Sequence, residues 1–276
     1  MADVPTVTLN SGQHMPQLGF GVFKVPLDET ERAVSAAFEA GYRSIDTAAM
    51  YKNEEGVGAA ITASGLSRDE LFITTKLNND AHGYDNALAA FEDSRAKLGV
   101  EYVDLYLIHW PQPALDRYVE TWQAMIKLRD DGLIRSIGVS NFQPAHLDRL
   151  ADETGVTPAV NQIELHPYLV QQELREYDAA HRIVTEAWSP IARGGDLLKN
   201  QTITSLGEKY GKTPAQIVIR WHLELGNVVI PKSVTPARIR ENFDVFDIDL
   251  DSEDVEAISS LDRNERTGPH PDDVNP

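Results

Sequence analysis

Tyr42-Arg43-Ser44-Ile45-Asp46-Thr47-Ala48-Ala49-Met50-Tyr51 begins like a strand and breaks into a loop. Its first half mixes Tyr, Ser and Ile, and then come Asp46, two alanines and, five residues after the Asp, Tyr51. Both polar side chains fall at or just past a strand end, where backbone gives way to loop. Two further runs share this design. Phe72-Ile73-Thr74-Thr75-Lys76 is apolar and β-branched and ends in Lys76. Val103-Asp104-Leu105-Tyr106-Leu107-Ile108-His109 ends in His109. Taken singly, a lysine after a strand is usually solvated, and a tyrosine in a loop is usually packing or rim. Three successive strand ends carrying Asp, Lys and His point to one shared face, provided the strands are parallel.

Working outward, residues 6–9 and 14–18 read as a hairpin around the turn Asn10-Ser11-Gly12-Gln13. Strand-like runs cover 18–23, the stretch ending at Asp46, 72–76, 103–109, 134–141, 159–164, 182–188 and 227–231. Helical patterns lie between and after them, over 28–41, 54–63, 85–98, 115–131, 144–153, 171–181, 202–210, 214–225, 236–243 and 252–261. Asp28 and Glu31 have the spacing of a capping box for the first. Eight strands alternating with helices predict a closed (β/α)8 TIM barrel, with an N-terminal β-hairpin and a C-terminal extra helix and loop. An open doubly wound sheet is the alternative. No Gly-x-Gly-x-x-Gly follows the first strand, which weighs against it. No interdomain linker is visible, so residues 1–276 read as a single barrel domain. The tail over 262–276 is polar and proline-rich and reads as a surface loop.

The chain has 276 residues, 42% of them hydrophobic, enough for a large core. Its 25 basic and 43 acidic residues give a net charge of −18, which disfavours nucleic acid or an anionic membrane as partner. Any anionic ligand therefore needs a local cluster of cations. With no cysteine, disulfides and thiol catalysis are excluded. Met1-Ala2-Asp3-Val4-Pro5 lacks the basic and apolar regions of a signal sequence, so a cytoplasmic protein is expected, and a monomer. No metal site is expected.

On a barrel the strand C-termini form one face, so Asp46, Tyr51, Lys76 and His109 would converge. A tyrosine is a poor acid at its usual pKa of about 10. A neighbouring cation favours the phenolate, so Lys76, paired with Asp46, is expected to lower the Tyr51 pKa. His109 can hydrogen-bond a substrate oxygen. Later strand ends carry Ser140, Asn141, Gln162 and Trp188, suited to a carboxamide and a planar ring, although loop capping and packing would use the same residue types. In Ile230-Pro231-Lys232-Ser233-Val234-Thr235-Pro236-Ala237-Arg238, two cations and several hydroxyls sit at a helix start, as an anion site requires.

With these pieces in place the chain resembles the aldo-keto reductases. The matching segments are Gly41 to Tyr51, Lys76, Leu107-Ile108-His109-Trp110-Pro111, Gly138-Val139-Ser140-Asn141-Phe142, Asn161-Gln162-Ile163-Glu164 and Ile230-Pro231-Lys232-Ser233. They run in family order over nearly the whole chain. Trp188, where many relatives have Tyr, and the short tail with Gly268-Pro269-His270-Pro271-Asp272-Asp273 make it most similar to the bacterial branch that includes 2,5-diketo-D-gluconate reductases. The resemblance implies hydride transfer from NADPH to the carbonyl of a small aldehyde, α-dicarbonyl or keto-sugar, with Tyr51 as general acid, Lys76 and Asp46 tuning it and His109 orienting the carbonyl. It further implies that Ser140, Asn141 and Gln162 hold the carboxamide, Trp188 stacks on the ring, and Ser189 and Ile191 line the pyrophosphate. Lys232, Ser233, Val234, Thr235 and Arg238 would surround the 2′-phosphate, and Glu241 and Asn242 the adenine. Phe23, Met50 and Trp110 would wall the substrate pocket, left open by the short tail. Two rivals stand beside this: a Schiff-base lyase using Lys76, against which the paired Asp46 argues, and a non-catalytic nicotinamide-binding protein.

Overall fold

The computed structural model describes residues 4–275. Met1, Ala2, Asp3 and Pro276 lie outside it, and with them most of the stretch read for a leader. Strands β1 (Thr6–Thr8) and β2 (His14–Pro16) pair antiparallel as the predicted hairpin. Its turn docks on the far strand starts, where Asn10 Nδ2 donates to the Pro158 carbonyl at 2.9 Å and the hydroxyls of Ser11 and Ser136 meet at 2.7 Å. Leu9 and Met15 enter a buried cluster with Phe72, Leu105, Leu107, Ala159, Val160 and Val228. The hairpin thus closes the barrel floor.

Eight parallel strands follow in chain order around the sheet: β3 (Phe20–Gly21), β4 (Ser44–Asp46), β5 (Phe72–Leu77), β6 (Val103–Ile108), β7 (Ile134–Ser140), β8 (Val160–Glu164), β9 (Val184–Trp188) and β10 (Val228–Val229). The ring closes where the Gly19 N–H donates to the Val229 carbonyl and the Val229 N–H to the Gln17 carbonyl, both at 2.9 Å. Closure leaves no free edge to be managed. Around the sheet lie α1 (Leu27–Ala40), α2 (Glu54–Ser64), α3 (Tyr84–Leu98), α4 (Tyr118–Asp130), α5 (Pro144–Thr154), α6 (Gln172–Ala180), α7 (Gln201–Tyr210), α8 (Pro214–Glu224), α9 (Pro236–Phe243) and α10 (Ser252–Ser259). Among the described residues no helix is long and apolar enough to cross a membrane.

Two local expectations are corrected. The capping box of Asp28 and Glu31 does not form. Pro26 is the N-cap of α1, and Thr30 Oγ1 donates back to the Pro26 carbonyl at 2.7 Å. Helix α4 starts at Tyr118 rather than at 115, because the Leu115 N–H closes a turn on Gln112 and Asp116 takes a left-handed φ of 55°.

Period-two alternation explains both the core and the site. One set of strand side chains, including Ile45, Ile73, Tyr106, Ile108, Ile137, Val139, Ile163 and Ala187, packs against helix residues such as Val34, Phe38, Phe91, Trp122, Met125 and Ile217. The opposite set runs from apolar at the floor to polar at the top: Phe72, Thr74, Lys76 on β5; Val160, Gln162, Glu164 on β8; Val184, Glu186, Trp188 on β9. Gly138 on β7 belongs to this inner set, and a Cβ there would lie 2.7 Å from the Val160 carbonyl oxygen and from Leu107 Cδ2. Gly138→Ala should therefore push β7 off β8 and destabilise the fold by about 1–3 kcal/mol. Chemical denaturation checks this, and an unchanged midpoint would contradict it.

Candidate active site

The inner side chains at the strand tops meet in a cleft of about 810 Å³. At its base Lys76 is fully buried, and its ammonium donates to Asp46 Oδ1 at 2.6 Å and to the Thr47 carbonyl at 2.9 Å. The Tyr51 hydroxyl lies 3.4 Å from the same nitrogen. A short 3₁₀ turn, Ala49–Tyr51, aims it there directly after β4. His109 completes the group, its ring edge-on to Tyr51 with centroids 5.7 Å apart. The four strand-end residues are thus brought together.

Burial is the largest single influence on each of Lys76, His109 and Tyr51. It works against the charge of Lys76, but Asp46 and Tyr51 outweigh it and hold the ammonium above its usual pKa. His109 is pushed well below its usual value by burial and by the charge of Lys76, so the ring is neutral at pH 7. Its Nδ1 is buried with no hydrogen-bond partner among the described residues. For Tyr51 the net direction is the reverse of the sequence expectation. Burial raises its pKa, the charge and hydrogen bond of Lys76 pull it down, and the former wins. Lys76 therefore offsets the desolvation of Tyr51 without overcoming it.

Above this base, Ser140 Oγ donates to the Gln162 carbonyl at 2.9 Å. Asn141, in the left-handed region at φ 64°, donates from Nδ2 to the His109 carbonyl at 3.0 Å and accepts the Trp188 indole N–H at 2.8 Å. The amide of Asn141 thus fixes both His109 and Trp188. Gln162 Nε2 donates to Asp46 Oδ2 at 2.8 Å and to Glu186 Oε2 at 2.9 Å. Phe23, Met50 and Trp110 line the outer cleft, with Phe23 and Met50 exposed. Ser189, Ile191, Lys232, Ser233, Arg238, Glu241 and Asn242 also line the cleft. Val234 and Thr235 are not part of the lining. Thr235 stands at the N-cap position of α9 without a side-chain cap bond, and its N–H donates to Ser233 Oγ at 3.1 Å.

Several contributors were not singled out from sequence. Lys24 and Arg193 also line the cleft. With Lys232 and Arg238 they make four cations that form no ion pair with a carboxylate among the described residues. In a chain of net charge −18, cations lining a cleft without a carboxylate partner are candidates to meet an anionic ligand. A basic residue beside the pair Gly194-Gly195, just past a strand, was a usable signal for Arg193. Ser189, Ala192 and Arg193 all adopt left-handed φ values of 49°, 49° and 58°, strain of the kind that gathers at ligand clamps. The tail is a surface loop as expected, but a tethered one. Glu164 accepts the Thr267 N–H and hydroxyl at 2.5 and 2.6 Å and the Gly268 N–H at 3.1 Å. That seats Gly268 against Trp188, where a Cβ would lie 2.7 Å from the indole, and puts Pro269 in the cleft wall.

Comparison with known proteins agrees with this geometry. The sequence pattern of the Aldo/keto reductase family matches residues 17–263. Methylglyoxal reductase DkgA of Escherichia coli (strain K12) is 56% identical over 273 residues, covering 99% of this chain and 98% of that protein. Among solved structures, an aldo/keto reductase from Brucella melitensis superposes with a TM-score of 0.92 at 57% identity, over 95% of this chain and 99% of that one. A mutant of Gox0644 in complex with NADPH gives 0.95 at 48% identity, over 99% and 100%. A family match across nearly the whole barrel, with relatives more than half identical end to end, makes this chain a member of the aldo/keto reductase family.

Proposed function

We propose that the protein is an NADPH-dependent reductase of small aldehydes and α-dicarbonyls, with keto-sugars as further candidates, and that Tyr51 is its general acid. The observation that carries this is the buried Asp46–Lys76 pair with the Tyr51 hydroxyl 3.4 Å from the ammonium, at the base of a cleft. The cleft suits the cofactor: Arg193, Lys232 and Arg238 line it without a carboxylate partner among the described residues, and the half-buried indole of Trp188 lines it as well. When bound, NADPH supplies the hydride that the carbonyl carbon receives. Tyr51 passes its proton to the carbonyl oxygen, and His109, held neutral, offers a ring N–H to the same atom. Lys76 keeps its proton and gives the developing phenolate a counter-charge. Asn141 fixes Trp188 as a wall for the nicotinamide, and Gln162 keeps its amide oxygen for the carboxamide. Ser140, Ser189 and Ile191, with Glu241 and Asn242 further out, line the remaining length.

The substrate class rests on the mouth and on a relative. Phe23, Met50 and Trp110 make an apolar rim, and two donors converge on one oxygen, which favours electron-poor carbonyls. DkgA of Escherichia coli is a methylglyoxal reductase, and methylglyoxal is such a carbonyl. A panel of aldehydes, α-dicarbonyls and simple ketones scored by kcat/KM tests the class. A simple ketone as the best substrate would overturn it. A Schiff base at Lys76 is disfavoured, since the 2.6 Å pairing with Asp46 keeps the amine protonated. We also propose a cytoplasmic, monomeric, single-domain protein. The charge of −18 disfavours self-association, and size-exclusion chromatography tests the monomer.

Cofactor choice gives a second test. The overall field repels the more negative cofactor, so a preference for NADPH has to come from Lys232 and Arg238. A charge-assisted hydrogen bond contributes on the order of 1.5–3 kcal/mol. Lys232→Ala and Arg238→Ala should each raise the Kd for NADPH about 10–100-fold by that figure and leave NADH nearly unchanged. Added salt should weaken NADPH more than NADH. Equal weakening of both cofactors would show that these residues do not read the 2′-phosphate.

A further inference from the structure

Glu186 sits in the middle of β9 with no exposed surface, and the chemistry described so far does not use it. Its Oε2 accepts Gln162 Nε2 at 2.9 Å, and that same nitrogen donates to Asp46 Oδ2 at 2.8 Å. Asp46 in turn carries Lys76, and Lys76 reaches Tyr51. One continuous chain of contacts therefore runs from Glu186 through Gln162, Asp46 and Lys76 to the proposed proton donor. Glu186 Oε1 is buried with no partner among the described residues.

The charged groups around this carboxyl come from several elements of the barrel. Asp46 comes from β4, Tyr51 from the turn after it, and Lys76 from β5. β8 faces it with the neutral Gln162, and β10 pairs Val228 with it and carries only valines. Its own strand adds Val184 and Trp188 on the same side, and β3 contributes Phe20 and Gly21. The single cation is already taken by Asp46 at 2.6 Å. An ionised Glu186 would leave this buried cluster with two negative charges against one positive.

We propose that Glu186 is a positioning residue of the reductase site: its protonated carboxyl holds Gln162 across Asp46, and loss of that proton switches reduction off. This rests on the carbonyl-reductase reading given above. Burial and the charge of Asp46 push the Glu186 pKa up to about 8, opposed by the Gln162 hydrogen bond and by Lys76. The switch therefore falls in the mildly alkaline range. Ionising Glu186 acts on Tyr51 in one direction, since its negative charge raises the Tyr51 pKa and makes the hydroxyl a weaker acid. It also sets two carboxylates on one Gln162 amide nitrogen. Burial holds Tyr51 above its usual value, further from that range.

The test is the pH profile of kcat for NADPH oxidation with methylglyoxal, for wild type and Glu186→Gln. The glutamine keeps the shape and an acceptor for Gln162 but cannot ionise. The wild-type profile should fall above about pH 8, and the limb in Glu186→Gln should move up by at least one pH unit. Superposable limbs would overturn the proposal, as would a wild-type profile that rises through that range, which would mean that the ionised form is needed. Glu186→Ala, lacking the acceptor, should lose more turnover at neutral pH than Glu186→Gln. An infrared difference spectrum between about pH 7 and about pH 9, taken on wild type and on Glu186→Gln, gives a readout besides activity, with the variant subtracting Asp178, whose carboxyl burial pushes up to about 7. Wild type should lose a protonated-carboxyl band that the variant lacks, and identical difference spectra would overturn the proposal. A wild-type protein that oxidises no NADPH with any carbonyl would overturn the parent reading and this one together. Normal wild-type turnover with unmoved limbs would sink this one alone.

Discussion

Tyr51→Phe should lower kcat by about 10²–10⁴-fold, the usual contribution of a positioned general acid. The phenylalanine fills the same space beside Phe23 and His109, whose ring centroids lie 5.0 and 5.7 Å from that of Tyr51, so the pocket keeps its walls. The Kd for NADPH, read by quenching of protein fluorescence, should change little, because the hydroxyl faces the carbonyl rather than the cofactor arm. A variant with near wild-type kcat would remove Tyr51 from the mechanism. Because burial raises the Tyr51 pKa from its usual value, any alkaline limb in the mildly basic range should survive this substitution in the residual activity. Loss of that limb would assign it to Tyr51 after all.

Lys76→Met should be costly in two separable ways. Turnover falls because the developing phenolate loses its counter-charge. Stability falls because Asp46, only 2% exposed, keeps its charge and loses the ammonium at 2.6 Å. Stranding one member of a buried pair costs about 3–5 kcal/mol. Gln162 Nε2 remains on Asp46 Oδ2 but is neutral. Denaturant titration should therefore show a lower midpoint at neutral pH. An unchanged midpoint would mean that the pair contributes nothing to the stability of the fold.

What could be read in the sequence follows from the range of the interactions involved. Strand ends and loop chemistry are local, so Asp46, Lys76 and His109 could be placed from three short runs, and eight such runs implied the barrel. Lys24 escaped because a lone lysine near a strand end resembles any solvated one. Glu186 escaped because a glutamate inside a strand means little until register is known. Its partner Gln162 lies on β8, and the Asp46 that shares that amide is 116 residues from Gln162 in sequence. The tail reads as a plain polar loop, since nothing in its residues says that Glu164, about a hundred positions earlier, will hold Thr267 and Gly268. The misplaced cap of α1 has a smaller cause. Pro26 sets the entry into the helix and Thr30 binds back to it, so the acids that follow are not used as caps.

The central claim is that a hydride passes from a bound reduced nicotinamide to a carbonyl carbon at the base of this cleft while Tyr51 protonates the oxygen. The most direct measurement is turnover of methylglyoxal with NADPH deuterated at the transferring position, with the product examined by proton and deuterium NMR. The prediction is that deuterium appears on the new carbinol carbon, in step with the NADPH consumed, and that Tyr51→Phe slows both together. Carbinol carbon without deuterium, or no NADPH oxidation across the carbonyl panel, would contradict it.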